Sequence, residues 1–145
     1  MHVRQQIREA IKTVLTGINI DSSQGAVTVY ANRRRAVPAG SLPAIRVQTP
    51  SENSQFETMS SLQREPTVLI EIITEDKESN SVTPDDYAEE VEKLMADPAE
   101  LKPLVSSHVL TSTTLQIDSE HNIEQMTLAY SIEYFTTPDA PEVAL

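Results

Sequence analysis

Cysteine is absent from this 145-residue chain. That excludes a disulfide framework, a thiol nucleophile and any cysteine-ligated zinc or iron–sulfur centre, and it fits a reducing compartment. Glycine occurs only three times, and no glycine-rich phosphate cradle, GxSxG or HExxH pattern is present. No apolar run approaches the roughly 18 residues that would suggest a membrane span. Residues 1–10, MHVRQQIREA, lack the continuous apolar core of a secretion signal. The expectation is a protein that stays in the cell that makes it. Positive charge is also scarce: 11 Lys and Arg against 22 Asp and Glu give a net charge of −11. A molecule with a pI near 4.6 is not drawn as a whole to nucleic acid.

What is there is ordinary globular material. With 39% hydrophobic and 23% charged residues, the chain can bury a core as one domain. The charge is divided along it. Residues 1–64 carry Arg4, Arg8, Lys12, Arg33, Arg34, Arg35, Arg46 and Arg64 against four acids, a balance of +4. Residues 65–145 carry three lysines against eighteen acids, a balance of −15, and no Lys or Arg follows Lys102. Such asymmetry suggests a basic side and an acidic side, the alternative being a solvated acidic surface with a few surface arginines.

Apolar residues at Val3, Ile7, Ala10, Ile11, Val14 and Leu15 predict an amphipathic first helix with a basic ridge of Arg4, Arg8 and Lys12. Gly17 stands where a left-handed cap would end it. A polar loop at 21–25 precedes a short strand, Ala26–Tyr30. A basic connection punctuated by Pro38 and Gly40 leads to a second strand over Leu42–Thr49. Thr49–Gln63 is serine-rich without an apolar period and reads as a mobile loop spanning 50–64, or else as a hairpin arm continuing the flanking strands. Thr67–Thr74 is the most apolar stretch and predicts a central strand, followed by a polar loop over Glu75–Val82.

Thr83-Pro84-Asp85-Asp86 is a helix start with a Thr cap, Pro in the first turn and acids at the positive end of the dipole. Tyr87, Ala88, Val91, Leu94 and Met95 give this second helix its apolar stripe, and Asp97-Pro98 ends it. Val109–Asp118 and Gln125–Phe135 flank a turn, and strict alternation of Met126, Leu128, Tyr130, Ile132 and Tyr134 marks one buried strand face. The order predicts an α+β fold: a mixed, mostly antiparallel sheet of about five strands with two helices on one face. A single domain is expected over residues 1–137, with a flexible tail at 138–145.

Chemistry is sparse. His2, His108 and His121 are not spaced as metal ligands, and the serines have no evident base, so no catalytic residue and no cofactor are predicted. Asp85, Asp86 and Glu89 share a helix face and could hold Mg²⁺. The plainer reading is the preference of acids for a helix N-terminus, and no metal is expected. Arg33, Arg34 and Arg35, without interleaved aromatics, suit a protein interface better than nucleic acid. A head-to-tail contact of basic on acidic face closes into a ring when its rotation allows.

Taken together, the first helix ending near Thr16-Gly17, Arg33, the run Leu42-Pro43-Ala44-Ile45-Arg46-Val47 with Thr49 and Glu52, the strand Leu69–Ile72, the helix opened by Pro84-Asp85, and the final strand Leu128–Tyr134 resemble the lambda-type tail terminator proteins of long-tailed phages, the minor tail protein U family. The resemblance runs from about Val3 to Thr136; the tail beyond it and the arginine triplet have no counterpart. It implies a ring-forming, non-enzymatic subunit, hexameric, that caps the tail tube, stops its polymerisation and presents a surface to the head connector. DNA would pass through the lumen without being read. It implies a place at the head–tail junction of the virion, after assembly in the host cytoplasm, with no membrane partner. Arg33, Arg34, Arg35 and Arg46 are then expected at subunit or tube contacts, and Ser51, Glu52, Ser54, Phe56 and Ser60 in an assembly loop. The alternatives are a head-completion or neck adaptor on the connector side, or a monomeric α+β binding module.

Overall fold

The computed structural model describes residues 1–18, 20, 26–76 and 82–145. The polar loop expected at 21–25 and most of that at 75–82 lie outside them. The elements run α1 (Val3–Leu15), β1 (Thr28–Tyr30), β2 (Ala44–Thr58), β3 (Ser61–Glu75), α2 (Pro84–Ala96), β4 (Ser107–Asp118) and β5 (Ile123–Thr136). One five-stranded sheet has the order β1-β2-β3-β5-β4. β1 lies parallel to β2 and every other pair is antiparallel.

Period-two alternation decides which sheet face is the core. Ile45 and Val47 of β2, Val68, Ile70 and Ile72 of β3, and Met126, Leu128, Tyr130, Ile132 and Tyr134 of β5 are all buried on one face. They form one cluster with Val3, Ile7, Ile11, Val14 and Leu15 of α1 and with Tyr87, Ala88, Val91 and Met95 of α2. Each large apolar side chain so buried stabilises the fold by roughly 1.5–3 kcal/mol. α1 covers β1 and β2, while α2 lies over β3 and β5. Both helices therefore sit on the same face, as expected. β4, at the far edge, receives little cover.

Local chemistry sets the helix ends. His2 caps α1, its Nδ1 accepting the Arg4 amide at 3.1 Å. Burial, followed by nearby Arg4, holds the His2 pKa below its ordinary value, which keeps that nitrogen free to accept. At α2, the Thr83 amide and hydroxyl both donate to the Asp86 carboxylate, at 2.8 and 3.1 Å, one half of a capping box. The left-handed cap expected at Gly17 is not formed. α1 ends by tightening, with the Gly17 amide on the Val14 carbonyl at 3.3 Å and that of Ile18 on Leu15 at 3.1 Å, a short-turn closure of the last carbonyls.

Two expectations are corrected. The segment 50–64 is not a loop: β2 and β3 continue through it as a hairpin arm, paired from Ser51 with Thr67 to Thr58 with Ser61. A bulge between Gln48 and Ser51 absorbs Thr49 and Pro50 where the arm leaves the body of the sheet. The polar side chains do not stop the ladder because the pairing satisfies the backbone whichever residues carry it, and solvent takes the side chains. Nor does the tail at 138–145 hang free. The Val3 amide donates to the Pro141 carbonyl at 3.0 Å and the Leu145 amide to Phe135 at 2.9 Å, and Ala144 packs on the core.

Candidate functional site

One residue expected at the interface, Arg46, and one expected in the assembly loop, Glu52, turn inwards instead. Arg46 and Glu71 are cross-strand partners on the sheet face without helices. The Arg46 guanidinium donates twice to Glu71, from Nε at 2.8 Å and from Nη2. Gln48 joins them once its amide is oriented to satisfy both neighbours, with its oxygen 3.1 Å from Arg46 Nε and its nitrogen 3.2 Å from Glu71 Oε1. Glu71 is 5% exposed, so this arginine neutralises a buried carboxylate and is not available to a neighbour.

Glu52 is the second correction. The bulge turns it onto the helix-side face at the root of the arm, where its side chain is 6% exposed. Arg4 reaches it from α1 at 2.5 Å and Arg64 from β3 at 3.3 Å, and the Tyr134 hydroxyl of β5 donates to its other oxygen. Arg64 is held in turn by Thr136 Oγ1 at 2.9 Å. Burial, with the Glu52 hydrogen bond second, pushes the Tyr134 pKa well above the ordinary tyrosine value. Glu52 thus ties the arm to α1 and to the last strand. Arg4 and Tyr134 were read from the sequence only as part of a helix ridge and of a buried strand face, and Arg64 only as a basic residue of the first half, although Arg64 and Tyr134 share a face with the arm and are direct cross-strand partners.

The remaining arm residues face solvent. Ser51, Ser54, Phe56 and Ser60 are exposed. The tip exposes apolar surface, with Phe56 67% and Met59 99% accessible. Gln55 and Gln63 bond across the hairpin at 2.6 Å, so the arm is built along its length and bare at its end.

The arginine triplet stays outside the fold. Arg33 lies over the Tyr30 ring, 4.9 Å from its centre, and donates to the Ala36 carbonyl from Nε and Nη2 at 3.2 and 3.0 Å. Arg34 and Arg35 are exposed and make no ion pair among the described residues. Arg33 and Arg34 border an open cleft of about 480 Å³ that reaches Arg8, Val47 and Thr49. Arg8 is fixed there by Asn32 Oδ1 at 3.0 Å and by Thr49. Burial and then the Arg4 charge depress its pKa.

The Mg²⁺ alternative is not supported. Asp86 is spent on the cap of its own helix, and Glu89 pairs with Lys93 at 2.9 Å. Among the described residues no three His, Asp or Glu side chains converge on a metal position. His108 is likewise a structural residue: its Nε2 meets the Met95 carbonyl at the end of α2 at 2.7 Å.

A profile of the family described as phage minor tail protein U matches residues 2–134, nearly the whole chain. This chain belongs to that family. The minor tail protein is a structural component of the virion tail and not an enzyme. Its fold is similar to that of a chain in a solved structure titled "Virion of native gene transfer agent (GTA) particle", with a TM-score of 0.59 and 16% sequence identity. The match covers 87% of this chain and 92% of that one. No curated protein matches the sequence. No described helix is long and apolar enough to cross a membrane.

Proposed function

We propose that this minor tail protein is the tail terminator: a ring of identical subunits, six in number, that seats on the last ring of the tail tube, stops its growth and offers the opposite surface to the head connector. Membership of the minor tail protein U family across residues 2–134 carries this reading. The likeness to a chain of a gene transfer agent virion, 92% of which is covered, supports a role inside an assembled particle. The arm adds a mechanical part. Its root is fixed by the Glu52 cluster, and its tip presents Phe56 and Met59 to an apolar site on a neighbouring subunit or on the tube protein. The net acidic charge lets DNA pass through the ring by repelling phosphate.

Particles assembled without this protein test the reading. A terminator leaves overlong tails in negative-stain images, whereas tails of normal length lacking heads mean a neck adaptor. Replacing 54–60 by a tight turn leaves the folded domain intact, since these side chains are exposed, and yields overlong tails as well. Normal tail lengths from that variant would remove the arm from the capping mechanism.

A further inference from the structure

We infer that the Arg33–Pro38 loop of one copy seats in the groove between α2 and β4 of the next copy, and that this contact closes the ring. The inference rests on the ring reading above and names its joint.

The groove exists because α2 stops short of the sheet edge. Its open volume is about 520 Å³, walled by Asp85, Glu89 and Glu92 of α2 and floored by Thr113, Met126 and Leu128. Leu115 is the cross-strand partner of Met126 and Ile117 that of Glu124, so both project on the same side of the sheet as the helices. No helix covers them, and they are 46% and 66% exposed. The surface therefore combines apolar side chains with a row of acids spaced along one helix face. Lys93 also borders the groove and pairs with Glu89 and Glu90, so Asp85 and Glu92 carry the wall's remaining negative charge.

The loop that leaves β1 has the matching composition. Arg34 and Arg35 are exposed and carry no intramolecular ion pair among the described residues, and Ala36, Val37 and Pro38 follow at once. Guanidinium groups pair readily with carboxylates while the loop's apolar residues meet Leu115 and Ile117. The apolar tip of the arm is a poorer occupant, since Glu57 beside it would face the acidic wall.

Register also favours closure. The cleft beneath the arginine loop is bordered by Val47, which pairs with Ile70. Ile70 pairs with Leu128, and Leu128 with Thr113 on the groove floor. Loop and groove thus stand at the two ends of one row across the sheet, at the same level along the strands. A heterologous contact closes into a ring when its rotation carries no rise, and a loop and groove at one level suit that where the strands run along the ring axis.

The missing cysteines make a direct test clean. Ala36→Cys and Thr113→Cys lie at opposite edges of the sheet, so in the double variant a disulfide joins different copies only. Mild oxidation should give a ladder on non-reducing gels that stops at the ring number. Mixing the two single variants should give the mixed dimer in preference to either like dimer. In parallel, Arg34→Glu with Arg35→Glu should raise the dissociation concentration in sedimentation by about 100-fold, and adding Glu89→Arg with Glu92→Arg should recover most of that loss. Rings that persist without a mixed disulfide, or that ignore both reversals, overturn the joint and leave the ring reading standing. A wild-type chain that sediments as a monomer, alone and with the tube protein, overturns both.

Discussion

Removing the Glu52 carboxylate tests the reasoning most sharply. In Glu52→Ala the Arg64 guanidinium, whose side chain is 11% exposed, loses the only carboxylate it pairs with among the described residues, and breaking a buried pair on one side costs about 3–5 kcal/mol. Arg4, 37% exposed, returns to water and adds little. The Tyr134 hydroxyl, on a residue with no accessible surface, is left without its acceptor, worth about 1–3 kcal/mol if nothing replaces it. Arg64 keeps Thr136, which offsets part of the loss. The net expectation is about 4 kcal/mol, a fall in Tm of about 12 °C for a chain of this length. Circular dichroism melts at one fixed protein concentration measure it, because assembly would otherwise shift Tm. Tyr134→Phe supplies the cycle. Once Glu52 is gone the hydroxyl is a liability, so the double variant should be about 1–2 kcal/mol more stable than the sum of the singles predicts. A Glu52→Ala protein within about 1 kcal/mol of wild type, or strict additivity in the cycle, would refute a buried, coupled hub.

Three further outcomes follow from the same structure. Arg46→Ala leaves Glu71 buried and unpaired and should cost about 3 kcal/mol by urea titration, whereas Arg34→Ala and Arg35→Ala, on an exposed loop, should stay within about 0.5 kcal/mol. Deleting 138–145 removes the bonds to Val3, Gln6 and Phe135 and the packing of Ala144, and should lower stability by about 2 kcal/mol. Burial, then the Glu92 charge, pushes Tyr130 up to about 12, and Tyr134 is raised as well. Both favour the protonated fold, so their contribution is whole below pH 10, the unfolded value, and lost as pH rises through 12 and beyond. Absorbance at 295 nm should show late phenolate formation, and Tyr130→Phe should remove part of it.

Helices and central strands were legible because their apolar residues follow one period. Val3, Ile7 and Ile11 repeat every four residues and Met126 to Tyr134 every two, and burial on one side is what each period records. The arm was legible only as the alternative to a loop, since Ser51 to Ser60 have no apolar face to display; its ladder is dictated by the neighbouring β3. The alternation of Glu52, Ser54 and Phe56 opposite Pro66, Arg64 and Leu62 is the signal that would have found it. Arg46 looked like any surface arginine because nothing in a linear sequence marks Glu71 as the residue across the ladder. The same holds for Glu52, whose partners lie in three separate elements. Tail docking rests mainly on backbone groups, which sequence patterns do not encode. Uneven charge, by contrast, was visible in the sequence; its basic loop follows the edge strand β1, while its acidic helix lies over β3 and β5.

One carboxamide has a wider reach than its strength suggests. Gln6 Nε2 donates to the Met1 carbonyl at 2.6 Å and to the Glu142 carbonyl at 2.8 Å, so the first and last segments are clasped side by side. Anything fused to either terminus emerges from one place on the subunit. A short linker across that clasp, with the chain reopened at Met59–Ser60, would give a circularly permuted protein with the same sheet. If that protein folds, threading order is dispensable for this sheet, and the ends of the permuted chain lie at the tip of the arm, where a label would report directly on what the arm touches.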